Sequence, residues 1–140
     1  MRFVIIVALL AAMLGLTGCG ETKQANSTVS DSGIYSNDFT TFKKNYGSKT
    51  EAQQDELWKT IKGKEIQWSG EVYDAFADAS DKSTGIIVVR IGADFVKFSL
   101  PITEDIASLN KGTKITLKGV LAEPGGSLKS WGVTNASVVK

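Results

Sequence analysis

Hydrophobic positions along this chain keep a helical period up to about residue 62 and a strand period after it. Phe39, Phe42 and Tyr46 recur at i, i+3 and i+7, one face of a helix over FTTFKKNY, with Asn37 or Asp38 placed to cap it and Gly47 to end it. Leu57, Trp58 and Ile61 form the stripe of a second helix. Thr50 and Gln53 make its capping box, Lys59 and Lys62 suit its C-terminal dipole, and Gly63 stops it. From Glu65 the period is two. Ile66, Trp68, Gly70 and Val72 alternate with Glu65, Gln67, Ser69 and Glu71, which predicts a half-buried strand. Residues 74–85, DAFADASDKSTG, read as a loop. Strands follow over 86–91 and 95–102, the latter with Val96, Phe98, Leu100 and Ile102 on one face and an edge at Pro101. A short helix is expected over 103–112, capped by Thr103 and stopped by Asn110-Lys111-Gly112. Residues 114–123 form a fourth strand, with Ile115, Leu117 and Leu121 inward. After the Pro124-Gly125-Gly126 turn, residues 130–140 form a fifth.

The expected fold is therefore α+β: a five-stranded OB-like β-barrel with two N-terminal helices and a short helix between strands three and four. Single glycines inside strands one and four, Gly70 and Gly119, would let those strands coil around a barrel corner.

The N-terminus carries a different pattern. Arg2 precedes residues 3–14, FVIIVALLAAML, an apolar run too short to span a bilayer, and small residues follow. This is the layout of a secretory signal peptide. Leu16-Thr17-Gly18-Cys19 resembles the bacterial lipobox. The resemblance implies cleavage after Gly18 and a diacylglycerol on the Cys19 thiol, with acylation of the new terminus. Two or more acyl chains give stable anchoring, so the mature protein would be membrane-attached and extracytoplasmic. Gly20 follows the cysteine, and by resemblance to enterobacterial sorting a residue other than aspartate there implies the outer membrane if the host is Gram-negative. Residues 20–33, GETKQANSTVSDSG, are too polar to bury themselves. The expected organisation is a signal peptide at 1–18, an acylated cysteine and flexible tether at 19–33, and a helix-plus-barrel domain at 34–140.

Removing 18 residues from 140 leaves 122, enough for one domain. Loss of Arg2 reduces the 16 basic residues to 15, equal to the 15 acidic ones. Neutral charge and an extracytoplasmic setting argue for no nucleic acid as partner, and point to an envelope protein or a glycan instead. The chain has no histidine, and its only cysteine is the lipid-attachment residue. No triad, imidazole base, thiol chemistry or P-loop is available, so a non-enzymatic protein without cofactor is expected. Glu71 and Asp74, three apart on a strand and its exit, would point to opposite faces and so could not act as a carboxylate pair.

The pattern Gly63-Lys64-Glu65-Ile66…Gly70-Glu71-Val72, then Leu109…Lys111-Gly112…Ile115…Leu117-Lys118-Gly119, then Asn135-Ala136-Ser137-Val138, resembles the small OB-fold domains grouped as tRNA-anti-like in bacterial envelope proteins. It covers about residues 62–140 and implies a fold and a setting, with no catalytic residue.

The strand two and three face of an OB barrel is its usual ligand surface. It would offer Arg90, Phe95 and Lys97, with Tyr73 at the exit of strand one. Trp131, after a Pro-Gly-Gly turn, would add an exposed indole. Trp58 and Trp68 read as core. The leading expectation is a lipid-anchored binding module for an envelope protein or glycan. Alternatives are a small-ligand or calcium sensor using the barrel mouth and Asp74, Asp78 and Asp81, and a phage- or plasmid-encoded exclusion lipoprotein.

Overall fold

The structure, a computed structural model, describes residues 33–140. The signal peptide at 1–18, the lipid site at Cys19 and all of the expected tether but Gly33 lie outside the described residues. The elements run α1 (Phe39–Gly47), α2 (Glu51–Ile61), β1 (Glu65–Ala77), β2 (Thr84–Ile91), β3 (Asp94–Pro101), α3 (Glu104–Ala107), β4 (Lys114–Glu123) and β5 (Trp131–Val138). The strands close into a barrel in the order β1-β2-β3-β5-β4, with β3 and β5 parallel and every other pair antiparallel. The fold is the α+β, OB-like barrel that the hydrophobic period predicts.

Closure depends on β1 serving two neighbours. It pairs with β4 over Glu65–Glu71 and with β2 over Glu71–Ala77. Gly70 sits at the crossover. A Cβ there would collide with the Arg90 carbonyl oxygen and the side chains of Val89 and Ile91. Gly119 plays the same part in β4, against the Thr134 carbonyl. Only glycine lets the backbones approach this closely.

The barrel is filled by alternate residues of all five strands, among them Trp68, Val89, Phe98, Leu117 and Val133. The helices cover part of it with rings. Phe39 and Phe42 lie 4.9 and 5.1 Å from Trp68, and Phe42 and Tyr46 each lie 5.0 Å from Trp131. The caps form as the sequence predicts. Asp38 accepts from the Thr41 N–H, and Thr50 and Gln53 close their capping box. The Trp68 indole N–H donates to Ser36 Oγ at 3.1 Å, so its one buried polar group is satisfied.

Four expectations change. The loop after β1 is shorter than 74–85, because β1 runs on to Ala77 and β2 begins at Thr84. Ile102 is not inward: β3 ends at Pro101, the alternation lapses, and Ile102 is exposed. The third helix is only Glu104–Ala107. Glu71 and Asp74 share the outer face, because a bulge between Val72 and Asp74 inserts one residue into β1.

Candidate nucleic-acid interface

The bulge also builds the site. Val72 pairs with Val89 and Asp74 with Val88, which leaves Tyr73 as the extra residue. Its side chain leaves the barrel and is half exposed, at 52%. Register places Glu71, Arg90 and Phe95 in one outward row across β1, β2 and β3, and Asp74, Val88 and Lys97 in the next. Phe95 alternates with the buried Val96, so it too points out. The Tyr73 and Phe95 rings come from strands on either side of β2 and meet across it at 4.8 Å, edge to face.

Charges surround the ring pair. Arg90 Nη2 bonds to Glu71 Oε2 at 2.7 Å. The Arg90 guanidinium, through that hydrogen bond and then its charge, holds the Glu71 carboxyl below the usual carboxylate range. Lys111 Nζ stands 5.8 Å from the Tyr73 ring centre and 4.0 Å from Asp74 Oδ1. Lys43 Nζ bonds to Asp94, next to Phe95, at 2.6 Å. Lys97 is exposed, and among the described residues no carboxylate lies within ion-pairing distance of it. Beside Phe95 a cavity of about 260 Å³ opens between the β2–β3 turn and the β4–β5 connection. Leu128, wholly exposed, stands on its rim.

The structure thus brings Tyr73, Arg90, Phe95 and Lys97 onto one face. It does not bring Trp131 there as an exposed indole. Trp131 is 4% exposed, enclosed by Phe42, Tyr46 and Trp58. The turn before it suggests exposure, but α1 and α2 pack over the start of β5 and bury the ring. Lys111 and Leu128 escape sequence reading. Lys111 reads as a helix stop, and nothing local shows that the Gly112 N–H bonds to the Val72 carbonyl and so brings it beside Tyr73.

The three aspartates do not converge. Asp74 lies on β1. Asp78 accepts from Ser80 and from the Asp81 N–H, and Asp81 accepts from Ser83 and Thr84. Among the described residues no three acidic, histidine or cysteine side chains are grouped to hold a metal ion.

The sequence matches no family model and no curated protein. Among solved structures, a Klebsiella pneumoniae lipoprotein provisionally described as nucleic acid-binding superposes with a TM-score of 0.58 at 16% identity, over 76% of this chain and 92% of that one. The asparaginyl-tRNA synthetase of Pyrococcus horikoshii aligns with a TM-score of 0.41 at 13% identity, over 58% of this chain. The chain spans about a fifth of that synthetase (21%). The lipoprotein comparison corrects one expectation. Neutral charge and an extracytoplasmic setting argue for no nucleic acid as partner, yet the Klebsiella lipoprotein is provisionally described as binding it. Net charge is a sum over the molecule, whereas binding depends on the groups of one face. What this chain shares with the Klebsiella lipoprotein is the OB-like barrel fold.

Proposed function

We propose that the protein is a non-enzymatic binding module, attached to a bacterial envelope membrane through lipid on Cys19. In this reading the outer face of β1, β2 and β3 holds single-stranded nucleic acid. The Tyr73–Phe95 pair carries the proposal. Two exposed rings in contact, on the sheet face where OB barrels take ligands, form a stacking platform for bases. The likeness to a lipoprotein described as nucleic acid-binding supports it.

The test is anisotropy of fluorescein-labelled oligo-dT titrated with the acylated chain in nonionic detergent. Stacking is worth about 1–3 kcal/mol per base. The Tyr73→Ala/Phe95→Ala variant should therefore weaken binding at least about tenfold. Equal binding by wild type and variant would refute the assignment of this face.

A protein or glycan partner is the second reading. Glu71, Asp74 and Asp94 are interleaved with the cations of the same face and oppose a polyanion. Photo-crosslinking in cells from positions 73 and 95, with buried position 131 as control, separates the two. One dominant protein adduct at 73 and 95 alone would favour the second reading.

A further inference from the structure

Six cations stand on or beside the β1–β2–β3 face, and five of them face a carboxylate. Lys114 of β4 stands opposite Glu71 in register, and its charge helps hold that carboxyl down. Lys129, on the cavity beside Phe95, lies 3.6 Å from Glu123. Arg90 is bonded to Glu71 at 2.7 Å, and Lys43 to Asp94 at 2.6 Å. Lys111 faces Asp74 at 4.0 Å and also the Tyr73 ring. A matched cation gives a phosphate little net attraction, because its carboxylate repels what it attracts. Lys97 differs. It is exposed and has no carboxylate within ion-pairing distance among the described residues; Asp74 belongs to the same register row, but Val88 lies between them. It follows Phe95 by two residues on the same side of β3, about 6.8 Å along the strand.

We infer that Lys97 is the single anion anchor of this face, so that the site takes one phosphate at Lys97 while Tyr73 and Phe95 take the bases. The inference rests on the nucleic-acid reading above and narrows it. Binding is then dominated by stacking and scarcely depends on salt, unlike a groove that tracks the backbone with many cations. This also explains how a chain with balanced charge can hold a polyanion.

For single strands log K falls with log salt at about −0.7 per neutralised phosphate. One phosphate predicts a loss of about 2.6-fold between about 50 and 200 mM KCl, and four phosphates a loss of about 50-fold.

The experiment is the oligo-dT titration above, repeated across that range for wild type, Lys97→Met, Lys97→Arg and Arg90→Met. The expected result is a shallow wild-type slope, nearly abolished in Lys97→Met, restored in Lys97→Arg and kept in Arg90→Met. A slope that survives in Lys97→Met, or that Arg90→Met removes, would overturn the anchor and leave the stacking face standing. A wild-type loss of tenfold or more would overturn it too, because several phosphates would then be engaged. Absence of oligo-dT binding by the wild type would overturn both the anchor and the nucleic-acid reading.

Discussion

Trp131 shows how much one side chain carries. Its ring is in contact with rings from both helices, Phe42 and Tyr46 of α1 and Trp58 of α2, and its backbone opens the parallel pairing with Val96. Trp131→Ala would leave a cavity between the helices and the barrel. The expected cost is about 3–5 kcal/mol, read from urea unfolding. Ser36 is a smaller, sharper case. It is the acceptor for the buried Trp68 indole N–H. Ser36→Ala would strand that donor at about 1–3 kcal/mol, although it removes a single oxygen. A Ser36→Ala protein with wild-type stability would show that water reaches the indole.

At the scale of elements, the bulge in β1 decides what the barrel presents. Deleting one residue from a strand normally sends every later side chain to the other face. Tyr73 is the exception, because it is already the unpaired residue: without it, Val72 stays opposite Val89 and Asp74 opposite Val88. Deletion of Tyr73 should keep cooperative thermal unfolding and lose oligo-dT binding, whereas deletion of Ser69 should abolish cooperative unfolding. The β1–β2 loop sets a pH response. Asp78 accepts from the Ser80 hydroxyl and then from the Ser80 and Asp81 N–H groups. Asp81 accepts from the Ser83 and Thr84 hydroxyls and the Ser83 N–H. Both carboxyls are held below the usual range, so the folded state favours their ionised form. Their contribution is present above the unfolded value, about pH 4, and is lost as pH falls through the lower folded value. Melting temperature measured from about pH 6 down to about pH 2 should therefore decline less steeply in Asp78→Asn/Asp81→Asn than in wild type.

At the scale of the molecule, barrel and helices form one aromatic core. Phe39, Phe42 and Tyr46 belong to the same buried cluster as Trp68, Phe98 and Leu117. The chain has no second cysteine to form an internal disulfide, so packing must supply the stability. Removing residues 33–63 should uncover Trp68 and Trp131. The remaining chain should bind the dye ANS and unfold without a cooperative transition. A cooperative barrel after that truncation would show that the helices are an attachment and not a part of the core.

The sequence by itself determined the local structure. Helical spacing placed Phe39, Phe42 and Tyr46 on one buried face, the Thr50–Gln53 box marked where α2 begins, and alternation assigned Ile66, Trp68 and Val72 inward. These follow from periods of 3.6 and 2, which depend only on neighbours along the chain. It also determined the order of elements, and hence the OB-like barrel. The tertiary structure alone decided the site. Whether Trp131 faces water depends on helices about 70 to 90 residues earlier in the chain. Whether Glu71 and Asp74 share a face depends on one bulge, which alternation does not reveal. Which cations are neutralised depends on cross-strand register: Arg90 meets Glu71 because β1 and β2 pair in that register, and Lys97 stays unmatched because its row places Val88 between it and Asp74. Burial periodicity is a local property that each segment carries with it, whereas charge pairing and exposure arise between segments and exist only once the barrel has closed.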